Sequence, residues 1–307
     1  MIHHIRKKVF KTICILIVKF FSPKNKLISY LFNFSKNLSS DAIYFAKYED
    51  KKNIINFINK KFQNENYKLY DDFEKISIDE NMQSVVRDLN TTGISDNFET
   101  LLSFQEAEEF NYKINNSDYY DSHVPYLTKK KSYKDTPEGP YKSYSYKTQL
   151  NNPSILKVCL NEKIIKIAKE YLGSIPKIYS INTFVTLPGK KAFTHDFHRD
   201  IDNLKWLVVF IYWTKTLNDD GAFEQIKFTH KPSKKLEDIL NKKPQYFSNQ
   251  FDKFFLKTVP GYGLNDKYND IFNSEIKNVS GDPGKIVMCD TLGLHRGTSV
   301  KKIRNVT

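Results

Sequence analysis

FHRDIDNLKWLVVFIYWTKTLNDDGAFEQIKFTHK (Phe197–Lys231) holds two apolar runs separated by a polar turn. Leu207 to Trp213 (LVVFIYW) is apolar on both faces of an extended chain, which predicts a central strand covered on both sides. Asn218-Asp219-Asp220-Gly221 is a turn signal, and Phe223 to Phe228 reads as the next strand. Outward from this stretch, Ile178 to Leu187 and Lys285 to Cys289 are further short runs of strand-forming residues, and Pro, Gly, Asn and Asp separate them. Before Gly173 the period changes from two to that of a helix. Asp50 to Phe62 carries Ile54, Ile55, Ile58 and Phe62 on one helical face. Ser103 with Glu106 forms a capping box that opens a helix through Tyr112. Asn152-Pro153 starts a helix that runs from Pro153 to Tyr171 and stops at Gly173. The expected fold is mainly β: a helical N-terminal layer supporting a jelly-roll core from about Ile178 onward. We find no internal repeat.

Two side chains just before the long apolar run bring chemistry into view. His198 and Asp200 are two residues apart, so on an extended segment they point to the same side. A distant histidine, His295, follows the run Ile286 to Asp290 and the pair Gly293-Leu294, at another strand edge. Two imidazoles and one carboxylate on one face, with the opposite positions open, is the ligand set of non-haem Fe(II) oxygenases. His195 is a rival ligand, but its i+2 neighbour is Phe197, so no carboxylate shares its face. Arg304 offers a planar guanidinium suited to gripping a carboxylate through two parallel hydrogen bonds.

The composition of the 307-residue chain, 40% hydrophobic and 14% aromatic, excludes a disordered polymer. Net charge is +13, from 48 basic and 35 acidic residues. Part of the excess is local: Arg6, Lys7, Lys8, Lys11, Lys19, Lys24 and Lys26 stand among residues 1–26 without an acidic neighbour. That end reads as a solvated basic segment, or as a peripheral contact with an anionic membrane surface. Thr12 to Val18 (TICILIV) is seven residues long, where a bilayer span needs ~20, and Lys19-Phe20-Phe21 offers no small-residue cleavage site. The expected location is cytoplasmic. Cys14, Cys159 and Cys289 lack CxxC spacing, which argues for a reducing compartment and against a disulfide framework or structural zinc. Tyr119 to Lys147 interleaves six lysines (Lys129, Lys130, Lys131, Lys134, Lys142, Lys147) with tyrosines. It reads as a solvated loop first, a lid over an anionic substrate second, and a nucleic-acid grip only third.

Phe197–Lys231, with its HxD motif before an apolar strand, resembles the central segment of the phytanoyl-CoA dioxygenase-like family. GDPGKIVMCDTLGLHRGTSVKKIR (Gly281–Arg304) resembles the closing segment of that family, and YLGSIPKI (Tyr171–Ile178) the helix end that introduces its first barrel strands. The resemblance runs from about Thr91 to Arg304. It implies a double-stranded β-helix, the cupin-like jelly roll, with Fe(II), 2-oxoglutarate and O2. His198, Asp200 and His295 take the iron-ligand positions, and Arg304 the position that pairs with the distal carboxylate of 2-oxoglutarate. Thr298 and Asn182 are candidates for further hydrogen bonds to the cosubstrate. His230 matches the histidine of the family's Gly-Ser-His segment, but Phe228-Thr229 replaces its small residues, so no ligand role is assigned to it. A carboxylate at Asp200 favours hydroxylation, because related halogenases lack it.

The implied organisation is a basic N-terminal segment, 1–40, followed by one oxygenase domain, 41–307, with a helical layer over 41–173 and the jelly-roll core over 174–307. The spacing from His295 to Arg304 is slightly short for the family, and the chain ends at Thr307, so a truncated core is also an expectation. The implied activity is hydroxylation of a C–H bond in a small-molecule or lipid-like, anionic substrate, with release of succinate and CO2. Rival readings are a non-catalytic jelly-roll scaffold that keeps the triad, a basic membrane-surface or nucleic-acid binder, and a zinc hydrolase.

Overall fold

The structure, a computed structural model, describes residues 77–120, 130–173, 176–190, 192–200, 205–242, 269–301 and 304–306. The basic N-terminal segment, the apolar run Thr12 to Val18 and the helix read over Asp50 to Phe62 lie outside the described residues.

Helix α1 (Glu80–Thr91) begins where Asp79 accepts from Met82 N at 2.8 Å, and buries Met82, Val85 and Leu89 on one stripe. In α2 (Phe104–Asn115) the capping box is in place: Ser103 Oγ accepts from Glu106 N, and the Glu106 carboxylate accepts from Ser103 N. Its buried stripe is Ala107, Phe110 and Ile114. After the short α3 (Tyr146–Leu150), the single helix expected from Pro153 to Tyr171 is divided into α4 (Pro153–Cys159) and α5 (Glu162–Leu172). The break falls at Asn161, whose side chain accepts from Ile164 N and starts a new helix. Gly173 ends α5 at φ 72°, the left-handed cap its position predicts.

The strands are short and antiparallel. One sheet has the order β1 (Ile94–Ser95), β9 (Ile286–Cys289), β6 (Val208–Ile211). A second has the order β10 (His295–Gly297), β7 (Phe223–Ile226), β8 (Ile276–Val279). These two face each other, because Ile94, Tyr212, Val287 and Cys289 of the first side pack with Phe223 and Val279 of the other. On the far side of the first sheet, Ile211, Trp213, Ile286 and Met288 pack with the helical stripes, including Leu89 and Phe110. Beyond the second sheet, Ile226 lies under Leu236, Ile239 and Leu240 of α6 (Lys234–Asn241), with Phe272 of α7 (Asn269–Phe272). Period-two alternation along β7 and β9 produces this layering.

Two expectations are corrected. The apolar run Leu207 to Trp213 is not the central strand of its sheet: among the described pairings β6 bonds only to β9, and residues 207–210 are half-buried. The central strand is β9, which pairs with both β1 and β6 and is buried throughout. The Lys/Tyr segment is likewise more than a loop. Its described part supplies β2 (Tyr119–Tyr120), β3 (Lys130–Lys131) and β4 (Tyr141–Ser143) to a five-stranded sheet that continues through β5 (Phe184–Thr186) to β11 (Arg304–Val306). Tyr119 and Tyr144 are buried in the main core, and the Lys142 ammonium lies 4.7 Å from the Tyr119 ring centre. Their aromatic area went to packing, which a reading by composition misses. The turn before β7 stands as read: Asp220 N donates to Leu217 O, and Gly221 takes φ 78°.

Gly93 locks α1 to both facing sheets. Its carbonyl accepts from Asp290 N at 2.9 Å and from Gln225 Nε2 at 3.0 Å, at φ 87°. A Cβ there would lie 2.6 Å from His230 Nδ1 and 2.9 Å from Gln225 Nε2. Gly93→Ala is therefore expected to lower stability by at least ~1–2 kcal/mol, the cost of the left-handed backbone alone, read as a lower urea midpoint at unchanged slope.

Candidate metal centre

His198 and His295 are a backbone pair. His198 N donates to His295 O at 3.0 Å and His295 N donates to His198 O at 2.9 Å. That exchange sets the residues directly opposite one another, and their ring centres lie 4.3 Å apart. Asp200 N donates to Thr291 O at 3.0 Å, which ties the carboxylate-bearing residue to the turn that precedes His295. The result is one constellation: the nearest donor atoms of His198, Asp200 and His295 all lie within 4.8 Å of one another. His295 Nε2 is 3.5 Å from Asp200 Oδ2.

Both imidazoles are oriented by backbone carbonyls. His198 Nδ1 is 2.9 Å from Asp196 O, and His295 Nδ1 is 2.9 Å from Gly293 O. A carbonyl only accepts, so each Nδ1 carries the proton and donates, and Nε2 is the ring nitrogen that could coordinate an ion. Burial, with His295 beside it, pushes the His198 imidazole down, which favours the neutral form that a metal would need. The donor set fits a first-row divalent ion such as Fe(II). Its two nitrogens and one carboxylate are of the right kind. The ring of Phe223 stacks 5.8 Å from that of His295 and walls the site from the second sheet.

The other residues singled out in the sequence fall as follows. His195 ends a short 3-10 turn, where its Nδ1 accepts from Ala192 N at 3.3 Å, and it is not part of the cluster. Arg304 opens β11 opposite Thr186 of β5, in a row that continues to Tyr141 of β4. Thr298 Oγ1 is buried without a hydrogen-bond partner among the described residues, and Thr298 N donates to Ala222 O. Asn182 is exposed, and its amide donates to Ser180 Oγ at 2.9 Å. His230 is buried against Gly93 and is not part of the cluster.

Sequence reasoning missed the buried polar groups behind the ligands. Asp290, 2% exposed, accepts from Tyr171 OH at 2.5 Å and from Leu292 N at 2.9 Å. Burial nevertheless raises its carboxyl from 3.8 to about 6. The folded state thus holds this proton over a pH range in which the unfolded chain has lost it, so stability falls as pH rises through about 6. Asp290→Asn should remove a pH dependence of ~1 kcal/mol between pH 5 and pH 7, measured by urea unfolding at both values. The signal for Asp290 was available only in three dimensions, because Tyr171 belongs to a distant helix.

No protein-family model matches the chain. No curated protein matches it either. Among solved structures, it is similar to the non-heme alpha ketoglutarate dependent carbocyclase SnoK of nogalamycin biosynthesis, at 13% identity and TM-score 0.44, over 76% of this chain and 83% of that one. It is also similar to EctD from S. alaskensis with 2-oxoglutarate and 5-hydroxyectoine, at 11% identity and TM-score 0.45, over 72% of each chain. A further similarity is to HygX from Streptomyces hygroscopicus with nickel, 2-oxoglutarate and hygromycin B, at 11% identity and TM-score 0.39, over 73% of this chain and 83% of that one. All three scores lie below 0.5, so the chemistry is read from the side chains themselves. Among the described residues, no helix is long and apolar enough to cross a membrane.

Proposed function

We propose that this chain is an Fe(II)/2-oxoglutarate-dependent dioxygenase of the phytanoyl-CoA dioxygenase-like kind, and that its two facing sheets are the walls of a double-stranded β-helix. The observation that carries the reading is the convergence of His198, Asp200 and His295, with both Nδ1 atoms turned to backbone carbonyls. In this reading His198 Nε2, Asp200 and His295 Nε2 hold the ferrous ion. Arg304 pairs with the distal carboxylate of 2-oxoglutarate, and Thr298 Oγ1 supplies a hydrogen bond that its burial otherwise leaves unmade. When bound, the metal and cosubstrate supply oxidative decarboxylation to succinate and CO2 coupled to hydroxylation of a substrate C–H bond.

The rest is done by the chain. The backbone exchange between His198 and His295 fixes the spacing of the two imidazoles before any ion arrives. The Asp196 and Gly293 carbonyls hold both rings in one tautomer. Phe223 and the apolar residues between the sheets exclude water from one side of the ligand face. The substrate we assign is small or lipid-like and anionic, in keeping with the net charge of +13.

The test is anaerobic titration of the Fe(II)-loaded chain with 2-oxoglutarate. A visible charge-transfer band, followed by succinate release on admitting O2, is the expected result. Absence of both the band and succinate would remove the assignment.

A further inference from the structure

We propose that Arg199 is a positioning residue of the metal centre, which fastens the segment bearing His198 and Asp200 to the turn that delivers His295. The inference rests on the metal-centre reading above. It extends that reading to a side chain that faces away from the ion.

On an extended segment the residue between two ligands points to the opposite side from both. Arg199 does so into the protein: it is 1% exposed, although a buried guanidinium is strongly disfavoured without partners. Its Nη1 donates to Thr229 O at 2.6 Å and to Leu292 O. Leu292 lies three residues before His295, and Thr229 follows β7, the strand paired with β10. Leu292 lies in the turn closed by Gly293 N donating to Asp290 O. Thr229 Oγ1 accepts from Leu294 N at 2.8 Å and donates to Ile226 O at 2.7 Å. Three consecutive carbonyls thereby serve the ligand set. Thr291 O holds Asp200 N, Leu292 O holds the Arg199 guanidinium, and Gly293 O orients the His295 ring. Both bonds leave one nitrogen, Nη1, so a lysine could donate to the same carbonyls only as far as its shorter side chain reaches them, and an apolar side chain donates to neither. Loosening this strap lets the 291–293 turn shift against the 198–200 segment, which moves His295 relative to its two co-ligands.

The probe is Co(II), titrated into the full-length chain and followed by its visible absorption. Arg199→Met and Arg199→Lys are compared with native protein and with Val85→Ala, a buried substitution in α1 chosen to lower stability without touching the site. Expected are a ~10–100-fold weaker Kd and a changed Co(II) spectrum in Arg199→Met, the range found when a group that orients a ligand is lost. Arg199→Lys should fall between Arg199→Met and native, and it carries the test if Arg199→Met fails to fold. Val85→Ala should unfold earlier yet keep the native Kd within about twofold, because it touches no ligand. If the Arg199 variants keep the native Kd and spectrum and merely unfold earlier, the role is overturned while the metal centre stands. If native protein binds no Co(II), the metal centre falls and the positioning role with it.

Discussion

Asp200→Ala is expected to lower succinate release from 2-oxoglutarate by more than ~100-fold, while the far-UV circular dichroism of the protein stays unchanged. Loss of a group that merely orients a metal ligand costs 10–100-fold, so loss of a ligand should cost more. Asp200 is also the one charged donor of the three, and its partial exposure means that removing its carboxylate opens no core cavity. Its backbone N–H can still donate to Thr291 O after the substitution, so the tie to the turn before His295 survives. The assay is succinate formed per minute with Fe(II), ascorbate and O2, beside an anaerobic titration of the same sample. Turnover within a few-fold of native would contradict the assignment of Asp200 as a ligand.

Trp213→Ala should destabilise the fold by ~3–5 kcal/mol, the range for deleting a buried aromatic. Trp213 is 1% exposed, beyond the end of β6, and its ring centre lies 3.9 Å from that of Phe110 in α2. It belongs to the cluster that joins the helical layer to the first sheet, together with Leu89, Ile286 and Met288. The alanine leaves a void between two rigid layers that cannot close without moving a helix against a sheet. Trp213→Phe retains most of the contact with Phe110 and should cost much less. Urea unfolding of the three proteins at one pH gives the comparison, with the alanine variant expected to unfold at the lowest denaturant concentration.

How much could be read in advance depended on whether the cause was local. The capping box at Ser103 and Glu106, the Gly173 stop and the Asn218–Gly221 turn each lie within a few residues, and each is present as read. The division between α4 and α5 was missed because Asn161 reads as one more polar residue in a helical period, yet its side chain serves Ile164 N better as a cap. Which strand is central was misjudged for a different reason. Leu207 to Trp213 and Ile286 to Cys289 are equally apolar, and only the pairing of β9 with β1 decides between them. At the site, the period-two logic of His198 and Asp200 is local, and they do share a face with His295. The role of Arg199 depends on carbonyls of Thr229 and Leu292, which no spacing rule connects to it.

If the proposed centre holds, the pairing of His198 with His295 ties ion capture to the order in which the chain is made. His198 and Asp200 leave the ribosome well before β10, the strand that carries the third donor. Until that strand docks, a nascent polypeptide offers one imidazole and one carboxylate, a poor chelate for any divalent ion. On that reading, loading follows the docking of β10 beside His198.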